Sequence, residues 1–259
     1  NYMEDEDADP DLIRFGANKA SEFSWKQLLE ASSCTECARC TSVCPASSTD
    51  KPLSPMKIVT DIRAQLYSSG SGNEQEGLLG SAISHEEIWS CTTCGACMEE
   101  CPVLIGHVPM ITDFRRHMVL DQGMPYAQSS EHLEHMQSNG NPWGMPKADR
   151  TKWIEESDID IPFLSDKKEV DVLYWVGCAG SYDPRNQGVA RDLVRIRTKA
   201  GIDFAVLGKE ETCTGDSARR LGDEYLFETL AKENIESLDR YKFNRVVTAC
   251  PHCFHTIAN

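Results

Sequence analysis

Two segments of the chain carry the same cysteine spacing: Cys34, Cys37, Cys40 and Cys44-Pro45, then Cys91, Cys94, Cys97 and Cys101-Pro102. Each reads C-x₂-C-x₂-C-x₃-C-P, the run that wraps a cubane iron–sulfur cluster. A cubane presents four irons, and each needs one thiolate. A tight C-x₂-C-x₂-C loop reaches three corners. In two-cluster proteins the Cys-Pro thiolate of the other run reaches the fourth. The spacing therefore predicts one [4Fe–4S] set of Cys34, Cys37, Cys40 and Cys101, and a second of Cys91, Cys94, Cys97 and Cys44. That exchange holds two one-electron centres close together, which suits electron transfer.

The chain has 12 cysteines, and disulfides and zinc compete for them. Disulfide-dense scaffolds run under ~80 residues and lack a sufficient core. This chain has 259 residues, 40% of them hydrophobic, and can bury one unaided. Zinc pairs two C-x₂-C units in one tetrahedron, which leaves the third cysteine and the Cys-Pro without a role. Clusters and free thiolates imply a reducing compartment.

With 26 basic and 41 acidic residues the net charge is -15, which disfavours nucleic acid as a partner. An acidic surface suits solubility and can steer a basic partner. No apolar run approaches the ~18 residues of a membrane helix, so the chain itself reads as soluble. It starts at Asn1 without a signal-like segment and stops at Asn259, shortly after Cys253. Both ends are expected to be cut, with a membrane segment or a further domain outside them.

The order of patterns predicts an α+β protein. Residues 1–23 form an acidic segment whose residues 4–11 are solvated, and 24–123 a helical two-cluster ferredoxin-like domain. Residues 124–168 read as a linker, and 169–259 as a truncated cysteine-rich α/β domain. Ser24 caps a short helix carrying Trp25, Leu28 and Leu29. Ser54-Pro55 opens a second helix with a Val59, Ile62 and Leu66 stripe. Residues 68–77 are a Ser/Gly-rich loop, and Ser84 starts a helix that brings Trp89 to the second run. Pro109 opens a helix with a face of Ile111, Phe114 and Met118, ending near Gly123. Arg115 and Arg116 are expected on its solvated side, with tuning of cluster potential as the alternative. His132, His135 and Met136 fall on an exposed polar helix of the linker, without enough neighbours for a metal site.

Val172-Leu173-Tyr174-Trp175-Val176 is a continuous apolar run, as in a buried parallel strand. A helix from about Asp183 follows, with Val189, Leu193 and Ile196 on one face and Gly201 as its stop. Phe204–Leu207 and Arg245–Thr248 are the next strands. A helix between them runs from about Ser217 and carries Leu221, Tyr225, Leu226 and Leu230. This alternation means right-handed crossovers and a parallel sheet. No G-x-G-x-x-G follows the first strand, so dinucleotide binding has no support.

The four remaining cysteines sit after strands. Cys178 follows the first, Cys213 the second, and Cys250 and Cys253 the third. The carboxyl ends of parallel strands converge on one crevice. Four thiols meeting there form a ligand set for a third [4Fe–4S] cluster, with Cys₄ zinc as the competing occupant. His252 and His255 flank the last pair, either hydrogen-bonding cluster sulfurs or simply exposed. Asp216, Arg219 and Arg220 follow Cys213. They either gate access to it or, for Asp216, cap the next helix.

Four features together resemble the heterodisulfide-reductase-D-like iron–sulfur oxidoreductases. These are the paired runs, Gly140-Asn141-Pro142-Trp143-Gly144, the segment Thr212–Arg220 with Cys213, and Cys250-Pro251-His252-Cys253. In that family the archaeal heterodisulfide reductases carry adjacent cysteines followed by glycine at the middle position. Here Thr212 replaces the first of the pair and Thr214 precedes Gly215. That removes a ligand of the non-cubane double cluster that cleaves a disulfide, and so argues against heterodisulfide reduction. The Cys-Thr-Gly-Asp form resembles the branch that takes electrons from electron-transfer flavoprotein and passes them to menaquinone. The resemblance implies a flavoprotein partner and a membrane quinone-reducing domain. It also implies a place on the cytoplasmic side of the membrane, and haem b and quinone sites only in segments outside this sequence. An alternative within the same chemistry is the iron–sulfur subunit of a glycolate or lactate oxidase with a separate flavin subunit. A non-enzymatic alternative is a scaffold whose last four cysteines hold zinc.

Overall fold

Ser24 starts the first long helix because its hydroxyl accepts from the Gln27 amide at 3.3 Å, while the Gln27 side chain accepts from the Ser24 amide at 2.9 Å. The computed structural model describes residues 14–68, 76–155, 157 and 159–259. The acidic stretch 4–11 and most of the Ser/Gly-rich loop lie outside them. The chain divides into two units, residues 1–127 with 220–223, and residues 128–219 with 224–259.

The first unit is helical. It contains α1 (Trp25–Ser32), α2 (Arg39–Ser42), α3 (Pro45–Ser48), α4 (Pro55–Ser68), α5 (His85–Trp89), α6 (Ala96–Glu99) and α7 (His107–Arg116). A π turn, His117–Asp121, extends α7. Val59 and Ile62 of the predicted α4 stripe pack with Ile58 against Ile111, Phe114 and Met118 to form its core, whereas Leu66 is only half-buried. Phe23 meets Phe114 edge-on at 5.3 Å. On α1 the inward face is Ala31 and Leu28, while Trp25 and Leu29 are exposed.

Helix α5 opens on a capping box. The Ser84 amide donates to Glu87 at 2.7 Å, and Lys57 pairs with the same carboxylate at 3.1 Å. Burial opposes the Glu87 charge, yet the Ser84 amide and the Lys57 ammonium hold its carboxyl below the usual glutamate range. A carboxyl whose pKa is depressed on folding contributes stability above its unfolded pKa and loses it as pH falls through the folded value. Glu87→Gln is therefore expected to lower stability at neutral pH by about 1 kcal/mol. It should also flatten the decline below about pH 4.5, as read by urea unfolding at several pH values.

The second unit holds α8 (Ser130–Asn139), α9 (Lys152–Glu155), α10 (Leu164–Lys167), β1 (Glu169–Trp175), α11 (Gly177–Tyr182), α12 (Pro184–Lys199), β2 (Phe204–Ala205), α13 (Asp216–Leu221, whose last two residues belong to the first unit), α14 (Glu224–Leu238), β3 (Lys242–Thr248) and α15 (Pro251–Ala258). The three strands form a parallel sheet in the order β2-β1-β3. With the helical first unit this gives the expected α+β architecture. Of residues 124–168, expected as a linker, 128–168 group with this unit. Leu133, Met136, Trp153 and Leu164 are buried, Trp153 packing with Val172 and Tyr174 of β1 and Leu164 with Val170 and Leu173.

Two helices differ from their sequence patterns. The buried face of α12 is Ala190, Val194 and Arg197, while Val189 and Ile196 are exposed. Arg197 lays its guanidinium over the Tyr174 ring at 4.4 Å, so a charged residue takes a place that apolar periodicity assigned elsewhere. The helix expected from Ser217 is broken into α13 and α14 at Gly222. Its φ of +93° does not continue a helix.

Candidate iron–sulfur centres

The duplicated spacing produces a duplicated backbone. In the first loop Glu36 and Ala38 have φ of 55° and 61°, and at the matching positions Thr93 and Gly95 have 56° and 79°. Left-handed residues alternating with right-handed ones turn successive N–H groups toward one concavity, the nest that cradles anions and iron–sulfur clusters. The amides of Thr93 and Ile105 each donate to a sulfur at 3.3 Å, of Cys91 and Cys101 respectively. An arginine braces each loop at its first cysteine. Arg63 donates to the Cys34 carbonyl at 2.8 Å, and Arg115 to the Cys91 carbonyl at 2.5 Å.

Cys34, Cys37, Cys40 and Cys101 line one cavity, with His107 at its wall. The thiol of Cys97 is pushed up to about 12, first by burial and then by repulsion from Cys91, Cys94, Cys40 and Cys44. Burial also raises Cys40 and Cys91; repulsion from Cys34 and Cys101 adds to the former, and from Cys44 and Cys94 to the latter. Each Cys-Pro cysteine thus lies within electrostatic reach of the opposite run. Crowded thiols that resist ionisation together are relieved by a cationic iron core, so the donor set fits a cluster in each cradle.

Arg115, expected on a solvated face, is buried. Its guanidinium donates to the carbonyls of Ile88 at 2.9 Å and Cys91, and to Arg220 at 2.7 Å. It also stacks on Trp89 at 5.0 Å. Arg220 belongs to this unit too, and donates to the Thr93 hydroxyl at 2.8 Å. Arg116 instead pairs with Asp113 at 2.8 Å. Arg115→Met should strand these carbonyls and destabilise the unit by about 3 kcal/mol, measured by denaturant unfolding of the cluster-loaded chain.

In the second unit Cys178 lies in α11 after β1, Cys213 in the loop before α13, and Cys250 and Cys253 at the start of α15. Gly177, at φ +77°, is where β1 turns into α11. A Cβ there would sit 3.4 Å from the Cys253 sulfur, so glycine keeps the turn open toward the thiols. Cys253 donates to Cys250, which lowers Cys250 to about 5 and raises Cys253; the Cys253 and His252 amides and the His252 side chain also lower Cys250. The same relation raises Cys178 and lowers Cys213. His252 is itself exposed, and the described contacts of His255 run to Asn259.

The Cys213 loop is clamped by Gly140, from the motif noted in the sequence, and by Asn234, which the sequence did not mark. The Cys213 amide donates to the Gly140 carbonyl at 2.8 Å, and the Asn234 amide group donates to the Cys213 carbonyl at 2.9 Å. Gly140 belongs to a turn built around the fully buried Asn141, whose side chain bonds the backbone of Asn139, Trp143 and Met145. The Gly140–Gly144 motif is thus a bracket for Cys213. Thr212 turns its hydroxyl to Asn234 at 2.9 Å. Asp216 accepts from Thr256 at 3.5 Å, and Arg219 pairs with Glu224 at 3.3 Å. His132 meets Ser217 at 2.7 Å, and His135 lies 3.8 Å from Glu131. With Leu133 and Met136 buried, α8 is amphipathic rather than an exposed polar helix.

None of the twelve cysteines is in a disulfide. Among the described residues no three His, Cys, Asp or Glu side chains gather closely enough for a single metal ion. Among the described residues no helix is long and apolar enough to cross a membrane.

Residues 30–105 match the 4Fe-4S dicluster domain family, and residues 172–258 the cysteine-rich domain family. The chain is 38% identical to a probable membrane-anchored ferredoxin of Chromohalobacter salexigens, over 98% of this chain and 40% of that protein. It is 38% identical to the EtfAB:quinone oxidoreductase of Syntrophomonas wolfei, over 95% of this chain and 38% of that protein. With a polypeptide of the dihydromethanophenazine:CoB–CoM heterodisulfide reductase of Methanosarcina barkeri it shares 30% identity, over 88% of this chain and 57% of that protein. The chain spans about two-fifths of the length of the first two. Nested cysteine loops, a four-thiol crevice at parallel strand ends and these likenesses converge: the chain joins a 4Fe-4S dicluster domain to a cysteine-rich domain, and over most of its length it is similar to iron–sulfur oxidoreductases.

Proposed function

We propose that this chain is the iron–sulfur portion of an electron-transfer-flavoprotein:quinone oxidoreductase, taking electrons from a reduced flavoprotein and passing them toward menaquinone. The observation that carries the reading is the second unit's four-thiol crevice with Thr212 in place of a cysteine. Its hydroxyl is committed to Asn234, which leaves one thiol at the middle position. That favours a single four-ligand cluster over a disulfide-cleaving double cluster. The likeness to the quinone oxidoreductase of Syntrophomonas wolfei supports the choice of donor.

Three [4Fe–4S] clusters are proposed. Their ligand sets are Cys34, Cys37, Cys40 and Cys101; Cys91, Cys94, Cys97 and Cys44; and Cys178, Cys213, Cys250 and Cys253. When bound, each supplies one-electron chemistry, which matches a flavin that holds two electrons and releases them singly. The chain's own groups keep the sulfurs in place: the Thr93 and Ile105 amides, the arginine braces and the Gly140–Asn234 clamp. Haem b, the quinone site and the membrane attachment on the cytoplasmic side are assigned to segments outside this sequence.

The test is cluster reduction followed by EPR under anaerobic conditions. Reduced electron-transfer flavoprotein is expected to reduce the loaded chain, and a flavin-dependent 2-hydroxy-acid dehydrogenase is not. A flat response to the flavoprotein, with reduction by the dehydrogenase, would transfer the assignment to a glycolate or lactate oxidase.

A further inference from the structure

Near Cys178 lies a charged pair with almost no access to water. Arg150 and Glu211 are each 2% exposed, and their charged groups approach to 3.6 Å. Both ions are held firmly. The Arg150 Nε donates to the Glu211 backbone carbonyl at 2.6 Å. The Glu211 carboxylate accepts from the amides of Val176 and Gly177, at 2.9 and 2.7 Å, where β1 ends. Tyr182 covers the guanidinium, its ring centre 5.6 Å away.

The remaining edge of the guanidinium faces sulfur. Nη2 and Nη1 of Arg150 donate to Cys178 Sγ at 3.4 and 3.7 Å. A buried ion pair is weak evidence of a stabilising role, because desolvation offsets most of the attraction. Burying an arginine this deeply with its fork on a ligand-type thiol asks for another account. Arg63 and Arg115 provide the contrast, since they brace the first unit's loops through backbone carbonyls.

We propose that Arg150 is a positioning residue that raises the reduction potential of the Cys178, Cys213, Cys250 and Cys253 site. The proposal rests on the reading that this site holds an iron–sulfur cluster. Hydrogen bonds to the sulfurs, local charge and solvent exposure set such potentials. Reduction adds one electron to a site already ringed by thiolates, and no bond is made or broken. A fixed positive charge, desolvated and donating to one of those sulfurs, favours the more negative state. Arginine keeps its protons throughout. Glu211 orients Arg150 and opposes it in charge, so the two residues should shift the potential in opposite directions.

The experiment is an EPR-monitored redox titration of the anaerobically prepared, cluster-loaded chain, with iron counted for each variant. Arg150→Met should lower the midpoint of this site by at least 59 mV, a tenfold change in its one-electron equilibrium. Arg150→Lys, which keeps the charge and loses the fork, should fall less. Glu211→Gln should raise the midpoint, and the two first-unit signals should stay put in all three. A midpoint unmoved in Arg150→Met, with signal and iron intact, overturns the role of Arg150 alone. If that variant loses its iron, Glu211→Gln decides, and a midpoint that does not rise overturns the proposal. Zinc in place of a third signal in the unsubstituted chain overturns both the proposal and the cluster reading beneath it.

Discussion

Replacing Cys44 with serine is expected to abolish the cluster of the other run, at Cys91, Cys94 and Cys97, and to spare the one nested at Cys34, Cys37 and Cys40. The substitution is mild for the fold. Cys44 is the N-cap of α3, with extended backbone and Pro45 behind it, and serine is a preferred residue at such a position. What changes is the ligand, since a hydroxyl replaces a thiolate that repels Cys91 and Cys97 across the cradle. About four of about twelve irons per chain should be lost, with one EPR signal. Loss confined to the cluster of the first loop would refute the ligand exchange.

Cys213→Ala carries the second large effect. The loop around residue 213 is held by its backbone, through the Gly140 carbonyl and the Asn234 side chain, and neither contact involves the sulfur. The second unit should therefore fold unchanged by circular dichroism. The chain should lose about four irons and one signal, with the two first-unit signals intact. Three surviving signals would show that Cys213 is not a ligand.

The cysteines were legible because their chemistry forces a spacing. Three thiols on one small cage leave little freedom in the loop between them, and both runs show it with matching left-handed residues. The sheet was legible because a strand buried on both faces must be apolar throughout, as Val172–Trp175 is. The supports were not. Arg150, Glu211, Asn234 and Arg115 act on partners distant in sequence, and one polar residue in a sequence carries no mark of what it will face. The Gly140–Gly144 motif was visible, but its proline and two glycines read as a linker. The turn they make exists to present one carbonyl to Cys213, a long-range purpose that local composition does not encode.

Bound iron and acid-labile sulfide per chain, measured together with zinc on anaerobically purified protein, test the central claim most directly. Three thiolate cradles holding cubanes predict about twelve irons and about twelve sulfides, with no zinc. About eight irons with one zinc would confine the clusters to the first unit, and a colourless preparation without sulfide would contradict the account entirely.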